Sequence, residues 1–146
     1  MSDWRTHLVE SEAGITALLA RTRTIAVLGI KIPGKPAPAH DVPAYAQRAG
    51  FRIIPVPVYY PEVTEILGEP VVRSVSGIGA PVDLVNVFRR PSDIPAHLED
   101  LLASRPRAVW FQSGIRHDEA AETLARAGID VVQDRCLLVE LQARGR

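Results

Sequence analysis

Five short apolar runs, Thr24–Gly29, Phe51–Val58, Val82–Phe88, Arg107–Gln112 and Ile129–Val132, recur along the chain with loops and helically spaced stretches between them. A run that is β-branched or aliphatic at successive positions is buried on both faces, the pattern of a parallel strand covered by helices. Parallel neighbours cannot be joined by a tight turn, so each pair needs a crossover. The alternation therefore predicts an α/β fold: a Rossmann-like doubly wound, mostly parallel five-stranded sheet with helices on both faces.

The first crossover carries the most information. Ile25 to Leu28 end on Gly29, and a Gly/Pro/Lys loop follows, Ile30-Lys31-Ile32-Pro33-Gly34-Lys35. Val42, Tyr45, Ala46 and Ala49 then line one helical face that Gly50 stops. Strand, glycine, loop and helix open a nucleotide-binding βαβ unit, because a glycine there lets backbone N–H groups come close to a phosphate. The full G-x-G-x-x-G fingerprint is absent. Gly29→Val is accordingly expected to impair binding while leaving the fold largely intact.

Before this unit, Leu8, Ile15, Leu18 and Leu19 predict an amphipathic helix within Asp3 to Ala20, weakened by Gly14. After it, Pro55 and Pro57 place the second strand near an end of the sheet. Thr64 to Gly68 reads as one turn of helix, Pro70-Val71-Val72 as a short strand, and Ser74 to Pro81 as a connection. A helix from Ser92 or Asp93 buries Ile94, Leu98, Leu101 and Leu102, another carries Ala120, Ala121, Leu124 and Ala127, and Cys136 to Gln142 forms a last short one.

With 146 residues, 47% of them hydrophobic and 23% charged, the chain fits one domain, 1–146, with 1–23 as an amino-terminal helix packed on it. Seventeen basic residues balance seventeen acidic ones, so no global field draws nucleic acid or an anionic membrane. No apolar run approaches the roughly 20 residues that span a bilayer, and the amino end has no signal pattern; a cytoplasmic protein is expected. Cys136, the single cysteine, excludes an internal disulfide and a multi-thiolate metal site.

In a doubly wound sheet, ligands bind beyond the carboxyl ends of the strands, where the strand order reverses. The exits are Gly29-Ile30-Lys31, Pro57-Val58-Tyr59-Tyr60, Phe88-Arg89-Arg90-Pro91 and Gln112-Ser113-Gly114-Ile115-Arg116. Both lysines of the chain, Lys31 and Lys35, follow the first exit, and arginines stand at the third and fourth, Arg89, Arg90 and Arg116. Such a basic edge in a chain of zero net charge favours a polyphosphate ligand. The second exit offers no carboxylate for the ribose hydroxyls of NAD, whereas an adenosine with an extra ribose phosphate suits basic residues.

Gly29 after its strand, Ile54-Pro55-Val56-Pro57, the run from Val82 to Pro91, Ala108 to Arg116, and Val131-Val132-Gln133-Asp134-Arg135-Cys136 together resemble the small stand-alone CoA-binding proteins. Their domain is similar to the CoA-binding domain of succinyl-CoA synthetase alpha subunits, and the resemblance spans roughly Thr24 to Glu140. It implies coenzyme A as the ligand, its pyrophosphate cradled by the first loop and its adenosine end held at the second and third exits. The residues expected at the ligand are Gly29, Ile30, Lys31, Lys35, Pro57, Val58, Phe88, Arg89, Arg90, Gln112 and Gly114. Two positions depart from the family pattern: Ile30 replaces a small or hydroxyl residue, and Tyr59-Tyr60 follow Pro57-Val58 where Asn-Pro is common.

The synthetases that the domain resembles use a phosphorylated histidine in a separate domain, which this chain is too short to contain. His7, His40, His97 and His117 are read as exposed or capping, with His117 the best candidate for a proton donor or phosphate ligand. Asp134, Arg135 and Cys136 are read as an Asp/Arg interaction beside a buried thiol. No catalytic constellation or metal cluster is legible. The sequence therefore reads as a binder of CoA, an acyl-CoA or a CoA disulfide. The alternatives are a subunit of an acyl-CoA-handling enzyme that needs a partner chain, and an NADP-type nucleotide-binding protein. A homo-oligomer is compatible with either.

Overall fold

The computed structural model describes residues 3–146. Five parallel strands, β1 (Thr24–Leu28), β2 (Arg52–Val56), β5 (Leu84–Val87), β6 (Ala108–Phe111) and β7 (Asp130–Val132), form one sheet in the order β2-β1-β5-β6-β7. Two further strands, β3 (Glu65–Ile66) and β4 (Glu69–Pro70), make a small antiparallel hairpin. The helices are α1 (Glu12–Ala20), α2 (Pro38–Arg48), α3 (Leu98–Ser104), α4 (Asp118–Arg126) and α5 (Leu137–Ala143). The α/β sheet with helices on both faces is thus as the alternation of runs predicts.

Side-chain alternation sorts the core into two layers. Ile25, Val27, Leu84 and Trp110 face α1, α2 and α5, where Leu18, Val42 and Leu137 meet them. Ala26, Leu28, Val85, Val87 and Phe111 face the other way, against Leu101 of α3 and Leu124 of α4. Trp110 is fully buried, and its indole N–H donates to the Arg135 carbonyl at 2.8 Å, which fixes the approach to α5.

Both sheet edges are covered. Val72 N–H donates to the Pro55 carbonyl at 2.9 Å, laying the segment after β4 along β2, the end strand that its prolines anticipate. At the other edge Leu8 bridges Val131, and Val9 N–H donates to the Val131 carbonyl at 2.8 Å.

The amino-terminal segment departs from the single helix expected there. Trp4–His7 is a 3-10 turn, the next residues run alongside β7, and only Glu12–Ala20 is α-helical. Ser11 caps that helix by accepting from Gly14 N–H at 3.0 Å, so the Ser restarts the helix after the extended stretch. The turn of helix expected at Thr64 to Gly68 is instead the β3–β4 hairpin, because Leu67 and Gly68 both take positive φ, 56° and 76°, which closes a two-residue turn.

Candidate functional site

The order of the strands reverses beside β1: β2 lies on one side and β5 on the other, so a crevice opens between the exits of β1 and β5. Gly29 and Phe88 stand at that crevice. Gly29 has φ +88°, and a Cβ placed on it would collide with the Phe88 carbonyl oxygen. Its N–H donates to the Val56 carbonyl at 2.9 Å, and Phe88 N–H donates to the Leu28 carbonyl at 2.9 Å. The glycine is therefore required by the meeting of three strand exits. That contradicts the expectation that Gly29→Val would leave the fold largely intact.

On the α2 face the chain leaves Gly29 as a loop. The Ile30 side chain is packed in the core at 1% exposure, leaving its backbone to the edge, and Lys31 N–H donates to the Ala39 carbonyl at 3.1 Å. Lys31 and Lys35 are exposed, and neither meets a carboxylate among the described residues.

On the α3 face a cleft of about 780 Å3 adjoins the same exits. It is lined by Leu28, by the segment from Pro57 to Pro61, by Arg73, Ser74 and Ser76, and by His97 and Asp100. Pro57 is buried, while Val58 and Tyr59 are exposed and give the cleft apolar and aromatic surface.

Arg89 joins two residues of the cleft lining, Tyr59 and His97. Its guanidinium lies 5.7 Å from the Tyr59 ring centroid and donates to the Tyr59 hydroxyl at 3.4 Å. Its Nε donates to His97 Nε2 at 3.2 Å, and Asp93 sits 3.5 Å from its Nη2. Since His97 Nε2 accepts, the neutral ring carries its proton on Nδ1. Burial first, and the Arg89 charge second, hold the His97 pKa below the ordinary imidazole range. Arg90, by contrast, projects into solvent and pairs with Asp93 at 3.1 Å.

The fourth exit serves the scaffold. Gln112 Oε1 accepts from Asn86 Nδ2 and from Leu137 N–H, both at 3.3 Å, and the side chain is buried. Gly114 N–H donates to Asp134 Oδ1 at 2.6 Å. Asp134 is thus committed to Gly114 and not to Arg135, which pairs with Glu12 at 2.9 Å and Glu140 at 3.4 Å. Cys136 is half-buried, not fully enclosed. His117 is a helix cap: its Nδ1 accepts from Ala120 N–H at 3.0 Å.

Of the expected site residues, the structure brings Pro57, Val58 and Arg89 to the cleft region and Gly29 and Phe88 to the crevice beside it. Lys31 and Lys35 lie in the loop leading to α2. Gln112 and Gly114 are tied into the α5 side of the edge.

Arg73, Ser74, Ser76, His97 and Asp100 were not anticipated. Ser74-Val75-Ser76-Gly77 carries an available signal, a serine three residues before a glycine, which marks a turn built by a side chain. His97 carries none, because it reaches the cleft only through the 3-10 turn Pro91–His97.

The model of the CoA binding domain family matches residues 23–142. The chain belongs to this family. The uncharacterized protein YneT of Bacillus subtilis is 37% identical over 130 residues, 88% of this chain and 93% of that protein. A solved structure from Thermus thermophilus, cell-free ID.343, is similar with a TM-score of 0.83 and 43% identity, covering 92% of this chain and 98% of its own. A hypothetical protein from Pyrococcus horikoshii OT3 matches with a TM-score of 0.82 and 26% identity, over 92% of each chain. Among the described residues of this CoA binding domain no helix is long and apolar enough to cross a membrane, and no group of three metal-ligating side chains converges.

Proposed function

We propose that the protein binds coenzyme A across the carboxyl edge of its sheet, with the pyrophosphate over the loop after β1 and the adenosine end in the cleft beside β2. The observation that carries this reading is the reversal of strand order at Gly29. The two unlike surfaces a CoA molecule needs, a loop with uncompensated lysines and an apolar, aromatic cleft, lie on opposite sides of one crevice. Ligand sites of this kind are mostly apolar with a few placed polar groups, and a cleft of this size falls within the ordinary range of such pockets, ~300–1,000 Å3.

The residues present fit the ligand. A lysine-bearing loop suits a diphosphate as a point-charge binder. Tyr59 and Val58 supply flat apolar surface for a base, and Arg89 already stacks on Tyr59. Free, acylated and disulfide-linked CoA share all of these parts, so the site binds the nucleotide portion common to them. Backbone amide exchange in the presence of CoA tests the placement. Protection is expected at 29–37, 57–63 and 73–77; protection confined to the α4 and β7 side, with those three segments unchanged, would contradict it.

A further inference from the structure

Arg73 makes an unusual set of contacts for an exposed arginine. Its Nη1 donates to the Tyr59 carbonyl at 3.3 Å, and its Nη2 is shared among the carbonyls of Tyr60, Pro61 and Val63 at 3.1, 3.3 and 2.6 Å. One guanidinium thus rivets the whole 59–63 segment, including Tyr60 at φ 63°. No carboxylate among the described residues neutralises it. A guanidinium has five N–H protons; these contacts leave the Nε–H and one Nη1–H without a protein acceptor.

Ser74, next in the chain and also lining the cleft, accepts from Gly77 N–H at 3.0 Å, so its hydroxyl proton remains to be donated. Gly77 is fitted to this turn, since a Cβ there would come within 2.8 Å of Ser74 Oγ. The cleft's carboxylate does not oppose them. Asp100 is occupied by the N–H groups of Val75 and Ser76, at 2.8 and 3.1 Å, and by the Ser76 hydroxyl.

We propose that Arg73 and the Ser74 hydroxyl form a site for a phosphate monoester on the ligand's ribose, which makes the cleft selective for adenosine nucleotides bearing that extra phosphate. The proposal rests on the reading that the cleft takes the adenosine end. The Tyr59–Val63 carbonyls fix the guanidinium before any ligand arrives, so little side-chain freedom remains to be lost on binding. The phosphate then meets a positive charge, an N–H edge and a hydroxyl. The lysine loop lies on the other face of the crevice, which leaves the diphosphate and the ribose phosphate separate partners.

The test is calorimetric titration of the intact protein with CoA, dephospho-CoA, NADP and NAD, on the wild type and on Arg73→Gln and Ser74→Ala. Thermal unfolding of each variant is followed in parallel. Gln lacks the charge and, with one shorter amide group, replaces at most part of the contacts to the loop carbonyls, so the CoA to dephospho-CoA ratio within each variant is the readout. The wild type is expected to prefer CoA over dephospho-CoA by about tenfold to a hundredfold. Arg73→Gln should remove most of that preference, read as the ratio of the two constants in the variant because loosening the 59–63 wall weakens both ligands, and Ser74→Ala should remove part of it. An unchanged ratio, or equal weakening of both ligands, overturns the phosphate site and reduces Arg73 to a rivet of the wall. If CoA and dephospho-CoA both fail to bind but NADP is preferred over NAD in an Arg73-dependent way, the CoA reading falls and the ribose-phosphate site stands. Binding of none of the four overturns both.

Discussion

The α-carbon of Gly29 faces the carbonyl oxygen of Phe88 so closely that no side chain fits between them, and the two residues end the strands on either side of the switch in strand order. This close approach keeps the exits of β1 and β5 at the distance the sheet requires.

Gly29→Val is therefore expected to damage stability as well as binding. A β-branched residue at φ +88° is strained, by about 1 kcal/mol or more, and the clash is with backbone, which cannot rotate away. Urea unfolding should show a lowered midpoint and calorimetry a weakened CoA interaction. A wild-type midpoint with abolished binding would mean that the glycine serves the ligand alone.

Replacing Lys31 and Lys35 together by Ala should weaken CoA binding with little effect on stability, because both side chains are exposed and unpaired among the described residues. A charge-assisted hydrogen bond from either ammonium to a phosphate is worth about 1.5–3 kcal/mol. Arg90→Ala should change affinity far less, since Arg90 is 79% exposed and already paired with Asp93. Calorimetry on the two variants separates them; equal weakening would contradict the assignment of the phosphates to the lysine loop.

His97 predicts a pH dependence of stability. Its folded pKa lies below its unfolded value, through burial and Arg89, so the unfolded chain takes up the proton first. The contribution is complete above the unfolded pKa, about 6.5, and is lost as pH falls through the lower folded value. Unfolding free energy should fall as pH drops below about 6.5, with a shallower slope in His97→Gln. Identical slopes in the two proteins would refute the role of His97.

Asp83 ties the start of β1 to β5. Its Oδ2 accepts from the N–H groups of Arg23 and Thr24 at 2.8 and 3.1 Å. Burial opposes its ionisation, yet these N–H donors outweigh burial and its pKa is lowered. Asp83→Ala should cost about 1–3 kcal/mol, measured by urea unfolding at neutral pH. The cost should shrink in acid, since a lowered carboxyl pKa gives stability that fades as pH falls through it.

Much of the fold is legible in the sequence because its evidence is local: Ile25 to Leu28 and Leu84 to Val87 are apolar at nearly every position, as a doubly covered strand must be. The amino-terminal turn was not legible, since Leu8 shares helical spacing with Ile15, Leu18 and Leu19 while it and Val9 are held by Val131, a partner more than a hundred residues away. The same distinction divides the site. Gly29 and the lysines are marked by their own neighbours in sequence. Arg73 is not, because its partners are carbonyls of a loop that any sequence presents, and His97 reaches the cleft only through Arg89 and the turn that precedes α3.

A CoA site at the carboxyl edge is tested most directly by titrating the purified protein with CoA and with NAD in the same calorimeter. The second exit presents Pro57, Val58 and Tyr59, none of which can accept a hydrogen bond from a ribose diol as a carboxylate does, whereas the lysine loop and the cleft suit a phosphorylated adenosine with a diphosphate. Saturable one-to-one binding of CoA, tighter than that of NAD, is the expected result. Equal or tighter binding of NAD would contradict the CoA site.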